Sequence, residues 1–168
     1  MSGPGGKRRK LLVAIVAAAV AIGAPSSEVA AAEPGSRSVA LAALRGPVER
    51  VRDGDTIELE GRAIRLQGVA APELHEPLGE EARAALRDLV LGRTVACVPD
   101  GARTHGRLVA RCTVDGRDLG AALVAAGLAR DCPRFSGGRY ADLERAAAAR
   151  GAPIGKLYLL PSYCRPKR

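Results

Sequence analysis

Between residues 48 and 66 the chain alternates apolar and polar side chains three times, with only a tight turn between one run and the next. Residues 48–52 mix apolar with charged positions, and Thr56-Ile57-Glu58-Leu59 does the same. After Glu60-Gly61 the pattern resumes in Ala63-Ile64-Arg65-Leu66. A period of two marks a strand buried on one face. Runs this short, joined by turns too tight to hold a helix, must pair with one another. They predict a curled antiparallel sheet or small barrel.

The pattern changes after Pro77. Residues 79–91 place Ala82, Ala85, Leu86, Leu89 and Val90 on one helical face, and Gly92 ends that helix. A hairpin is expected next, from residues 94–98 and 108–114, closed by a polar loop over 99–107. Asp115-Gly116 is a turn, and Asp118 can cap a helix that carries Leu119, Leu123 and Val124 and stops at Gly127. Residues 140–150 read as a third helix, ended by Gly151. Beyond it Pro153, Pro161 and Pro166 predict mostly irregular chain.

Residues 1–32 read as an export signal rather than as part of a fold. Lys7-Arg8-Arg9-Lys10 is a basic start, and residues 11–24 are an apolar run of 14, too short to span ~30 Å of hydrocarbon. Ser26-Ser27-Glu28 breaks the run, and Ala30-Ala31-Ala32 offers small residues for cleavage after Ala32. An uncleaved N-terminal anchor is the alternative, and Arg8-Arg9 also permits a twin-arginine route. The expectation is a periplasmic or secreted protein with no stable membrane anchor after cleavage. Residues 33–45 then form a tether, 46–151 one domain and 152–168 a C-terminal tail. One domain of this size supports a real core, and a monomer is expected.

The full chain carries 26 basic and 18 acidic residues, a net +8. Removing the leader's four basic residues and Glu28 leaves 22 against 17, or +5. That surplus suits a polyanionic partner but is far from the charge of a packaging protein. Three tyrosines, one phenylalanine and no tryptophan exclude a tight single-strand binder built on many stacking platforms.

Four cysteines would pair in an oxidising compartment, and four allow three connectivities. Cys97 and Cys112 sit at the apolar centres of the two hairpin strands, so a cross-strand Cys97–Cys112 bridge is expected. That leaves Cys132–Cys164 to tie the tail to the body. With only His75 and His105, and no Cys-x-x-Cys, a zinc site is not expected.

Three clusters carry chemistry. Asp53-Gly54-Asp55-Thr56 is a turn on which two carboxylates can converge on a hard cation, although Asp-Gly turns alone are common. Arg65 lies inside an apolar strand, where a charge must be paired or face a site. Ala70-Ala71-Pro72-Glu73 then leaves the sheet, with Pro72 stiffening the approach to Glu73. Gly106-Arg107 opens the strand to Val114, a good position for a phosphate ligand.

In order and spacing these pieces resemble the thermonuclease family, the staphylococcal nuclease-like proteins, over roughly residues 46–150. The matching motifs are Asp-Gly-Asp-Thr, then Arg-Leu-x-Gly-Val-x-Ala-Pro-Glu, then Gly-Arg before a strand, and the helix over residues 118–128. The resemblance implies an α+β, mainly β fold, a five-stranded OB-type barrel with about three helices. It implies calcium-dependent cutting of DNA or RNA. Carried over by position, Asp55 would be a calcium ligand, Asp53 would lie in the outer shell and Ala71 would offer its backbone carbonyl. Arg65 and Arg107 would hold the scissile phosphate, and Glu73 would orient or deprotonate the attacking water. The division is physically sound, since phosphodiester hydrolysis needs positioning and charge neutralisation more than covalent chemistry.

Three positions depart from the pattern. Ala70 stands where the family usually has an aspartate that binds calcium directly, so calcium is expected to bind weakly if at all. His105 stands where an aromatic often packs on the nucleotide, and the tryptophan expected near the end of the last helix is absent. The sequence therefore points to a metal-assisted nuclease with an impaired calcium site. Two rivals stand beside it: a non-catalytic nucleic-acid-binding or scaffold module, and a disulfide-stapled envelope protein with no nucleic-acid role.

Overall fold

A computed structural model describes residues 42–166. The expected leader and most of the expected tether lie outside the described residues. Among the described residues no helix is long and apolar enough to cross a membrane.

Four short strands come first: β1 (Leu44–Pro47), β2 (Arg50–Asp53), β3 (Thr56–Leu59) and β4 (Arg62–Leu66). A two-residue strand β5 (Val69–Ala70) and helix α1 (Gly79–Val90) follow, then the long hairpin β6 (Thr94–Thr104) and β7 (Arg107–Val114). The chain continues through β8 (Arg117–Asp118), α2 (Leu119–Ala125), β9 (Arg130–Asp131), α3 (Pro133–Ser136), α4 (Ala141–Ala149) and α5 (Ile154–Leu157). A 3-10 turn at Ser162–Cys164 comes last.

The main sheet runs β1-β6-β7-β4-β3-β2 with β8 on β7. Its two end strands, β1 and β2, are halves of one run broken only at Val48 and Glu49, and the Glu49 amide donates to the Glu58 carbonyl at 2.9 Å. The path therefore begins and ends on the same stretch, and the sheet comes round on itself as an OB-type barrel of five runs: β1 with β2, β3, β4, β6 and β7. All the principal pairings are antiparallel except β4 with β7, which is parallel with Arg65 opposite Val109. Mainly β, with helices outside, the fold is the one the sequence implied. Three helices exceed one turn, and α3 and α5 add two four-residue turns.

The alternation read from the sequence fills the barrel. Ile57, Leu59, Ile64, Val95 and Leu86 are completely buried, together with Leu119, Leu123 and Val124 from α2. On α1, Ala82, Leu86 and Val90 face this core. Asp118 caps α2, its Oδ1 accepting from the Ala121 amide at 2.9 Å. The Tyr140 hydroxyl donates to the same carboxylate at 3.1–3.2 Å, which fixes the start of α4 against the start of α2.

Two expectations are corrected. The tether does not reach residue 45: Leu44 is buried and pairs with Cys97, and Arg45 with Ala96. Backbone pairing to β6 holds this segment although Gly46 and Pro47 disguise it as loop. Nor is 99–107 a loop. β6 continues to Thr104, with an irregularity between Pro99 and Arg103, and turns on His105 and Gly106, both at positive φ. Polar side chains hid the strand because residues 98–104 of β6 are exposed or half-buried and show no core face of their own, although Leu108 and Ala110 opposite them on β7 are buried.

Candidate functional site

The Asp-Gly-Asp turn folds inward because Gly54 lets it. A Cβ there would lie 2.6 Å from the Cβ atoms of both Ala71 and Ala82, so any side chain would push the turn off α1 and the Pro72 loop. With the turn seated, the Asp53 Oδ1 accepts from the Asp55 amide at 3.0 Å. Asp55 itself is buried, 4% exposed. Its Oδ2 accepts from the Ala71 amide at 3.2 Å, and its Oδ1 takes both the Thr56 hydroxyl, at 3.1 Å, and Arg65.

Arg65 rises from β4 into that carboxylate and donates through Nη2 to the Val69 carbonyl at 3.2 Å. Arg107 starts β7, and its Nη1 donates to the Thr56 hydroxyl at 3.0 Å. The parallel pairing of β4 with β7 brings the two arginines to one rim. The result is a continuous chain, Arg107–Thr56–Asp55–Arg65. Thr56, wholly buried, is its bridge, a role its place in the motif did not disclose.

Burial pushes the Asp55 carboxyl up to about 6, against the pull of Arg65 and with a smaller push from Asp53. Burial works most strongly against the Arg65 charge, but Asp55, with Tyr163 and Asp53, together outweigh it and leave the guanidinium more basic than usual. A carboxylate raised by desolvation beside a specific charge partner marks a functional-site candidate.

Glu73 sits on the exposed loop before α1. A Cβ on Gly79 would lie 1.9 Å from the Glu73 carbonyl oxygen, so glycine at the start of α1 lets the loop lie close to the helix. The Glu73 amide donates to Glu76 Oε2 at 2.7 Å. Among the described residues its own carboxylate has no ion-pair partner and faces water.

The C-terminal tail also reaches this rim, which no motif foretold. Cys164 packs on Ala70, next to the Val69 carbonyl that takes Arg65, and burial chiefly raises the neighbouring Tyr163 hydroxyl, with the Arg65 charge lowering it. Both disulfides have the expected pairing. Cys97–Cys112 joins directly opposed residues of β6 and β7, and Cys132–Cys164 ties the tail to the segment after β9.

These donors do not make an ordinary calcium site. Asp55 is the one fully buried carboxylate on the rim, and Arg65, Thr56 and the Ala71 amide occupy its two oxygens. Position 70 turns away from it: Ala70 is wholly buried among Cys132, Ile154, Tyr158 and Cys164. Among the described residues no group of three or more His, Cys, Asp or Glu is placed to hold a metal ion. Calcium asks for ~6–8 oxygens, and Ala71 enters the rim through its N–H.

Glu73 is exposed, Arg65 and Arg107 are half-buried, and Asp55 and Thr56 are buried beneath them. The surface concavities against α1 are lined by other residues, Ala85, Asp88 and Leu89 in one and Val51, Glu80 and Arg87 in the other.

An OB-type barrel with two arginines and an acidic turn on one rim is the class that fold and site define. Residues 63–152, just over half of the chain, match the family described as staphylococcal nuclease homologue, and the protein belongs to that family. Among its relatives, "Protein ParB" of Escherichia coli is 35% identical over 134 residues, covering 70% of this chain and 75% of that protein. "Succinoglycan biosynthesis protein ExoI" of Rhizobium meliloti (strain 1021) is 34% identical over 116 residues, 62% of this chain and 61% of its own length. A protein named "Uncharacterized endonuclease" in Escherichia coli O157:H7 is 33% identical over 96 residues, 54% of this chain and 63% of its own. The match thus spans less than two thirds of the last two relatives.

Proposed function

We propose that the protein is a nuclease that hydrolyses phosphodiester bonds of DNA or RNA. The observation that carries this reading is the convergence of Arg65 and Arg107 on one rim through Asp55 and Thr56. Membership of the nuclease family and the endonuclease name of one relative support it. Arg107, from the strand start, binds a non-bridging phosphate oxygen. Arg65, held by Asp55, neutralises charge as it grows in the transition state. Glu73, unpaired and solvated, orients or deprotonates water for in-line attack. Calcium binds no more than weakly, and these residues supply the positioning. The reading places the protein, as a monomer, outside the cytoplasm, where two disulfides persist.

Labelled single-stranded DNA and RNA, incubated with the disulfide-bonded protein in calcium and in chelator beside Arg107→Ala, test the reading. Cutting that disappears in Arg107→Ala supports it. No cutting of either polymer at saturating calcium overturns it. The apolar burial of Ala70 favours one second reading, a nucleic-acid-binding module without catalysis. Steeply salt-dependent binding with no product would identify that module.

A further inference from the structure

The tail is held at the site by more than its own sequence. Tyr158, 7% exposed, forms with Ala70, Cys132, Ile154 and Cys164 an apolar cluster distinct from the barrel core, and Leu78 and Leu160 pack on it. The Tyr158 carbonyl accepts from Arg130 Nη1 at 3.3 Å, and the Cys132 amide donates to the Gly68 carbonyl at 2.9 Å. The methyl of Ala70 is thus the point where the tail meets β5, and the residues on either side of it serve the site: the Val69 carbonyl accepts from Arg65, and the Ala71 amide donates to Asp55. An aspartate at position 70 would have no room among these groups. The alanine and the stapled tail belong together.

Tyr163 stands beside the staple. Of the three tyrosines it alone is open, 48% exposed against 2% for Tyr140 and 7% for Tyr158. It directly precedes Cys164, which packs on Ala70 between the Val69 carbonyl that takes Arg65 and the Ala71 amide that serves Asp55, and burial gives no reason to hold a half-open ring there. Beyond Leu160 on the cluster, residues 159–163 have little else to hold them: Leu159 is 79% exposed, and the local hydrogen bonding is that of a single 3-10 turn. Cys132–Cys164 sets where the ring stands.

We infer that Tyr163, positioned by the Cys132–Cys164 disulfide, contacts the nucleic acid, its ring stacking on a nucleobase next to the phosphate held by Arg65 and Arg107. This rests on the nuclease reading and adds a residue to it. A single aromatic platform beside phosphate ligands takes an unstacked base, so a single strand is the probe that reads this contact. The disulfide thereby becomes part of the binding surface. Reducing it costs affinity even where the barrel stays folded.

The test is binding of a fluorescent single-stranded oligonucleotide in chelator and low salt, with the full oxidised protein. Tyr163→Phe keeps the ring and is expected within about twofold of wild type. Tyr163→Ala weakens binding about 5- to 150-fold, the range for one lost base–aromatic stack. The double variant Cys132→Ser with Cys164→Ser falls to the same level. The chain has no tryptophan, so tyrosine emission reports directly: the oligonucleotide quenches it in wild type and less so in Tyr163→Phe. Melting curves confirm that Tyr163→Ala is folded. Wild-type affinity in Tyr163→Ala, or in the folded serine pair, overturns the inference while leaving the nuclease reading intact. A wild-type protein that binds no oligonucleotide overturns both.

Discussion

Replacing Asp55 with asparagine should stabilise the cation-free protein at neutral pH relative to acid. In the folded chain burial lifts this carboxyl from 3.8 to about 6, so the folded state holds its proton more tightly than the unfolded state does. The resulting stability is fully present below the unfolded value and is lost as pH rises through about 6. At ~1.4 kcal/mol per unit, the whole loss is about 3 kcal/mol. About 2 kcal/mol of it falls between pH 4.5 and 7.5 by the same linkage relation. Asparagine does not titrate. It also leaves Arg65 without a charged partner, but that cost is the same at both pH values because the guanidinium stays charged. The quantity to measure is therefore the difference in urea unfolding free energy, variant minus wild type, at pH 4.5 and at 7.5 in chelator. It should move toward the variant by about 2 kcal/mol. A flat difference, or one that moves the other way, refutes the account of Asp55 as a carboxylate ionised at the expense of the fold.

Arg107→Ala should lower kcat by about a hundredfold or more while shifting the melting temperature by only a few degrees, since the half-buried side chain contributes two hydrogen bonds; unchanged turnover in single-turnover cleavage removes it from the site. Ala70→Asp should not rebuild a calcium site. It buries a carboxylate against Tyr158 and the disulfide, which costs about 3 kcal/mol, and calorimetric titration should find no gain in calcium affinity. Asp118→Ala removes the α2 cap and the Tyr140 acceptor together and should cost about 1–3 kcal/mol in urea unfolding.

The sequence was most readable where side chains alternate against a core. Ile57, Leu59 and Ile64 declared their strands, and Asp118 declared a helix start because its cap is a local bond. The opposed cysteines were legible for the same reason, as centres of two apolar runs. Leu44 was not, because Gly46 and Pro47 break the alternation and the pairing that holds β1 comes from residues about fifty positions later. The polar half of the hairpin was missed because only its backbone bonds define it. In the site, Asp55, Arg65 and Arg107 could be assembled from spacing and resemblance, and the structure joins them. Thr56 as a bridge and Tyr163 on the rim escaped notice: the first depends on which rotamer meets Arg107, the second on a tail brought back by a covalent bond.

The bent run that supplies both β1 and β2 also has a bearing on how the chain assembles. On a chain emerging N-terminus first, β2, β3 and β4 can form a meander at once, but β1 has no partner until β6 appears. The hairpin of β6 and β7 is local and can be locked early by Cys97–Cys112, yet it must then dock against β4 and β1 from a distance. Ring closure is therefore the late, slow event, with a loop-entropy cost. Until it happens the edges of β1 and β4 stay unpaired and open to other chains. A chaperone that shields strand edges should speed refolding more than a disulfide isomerase would.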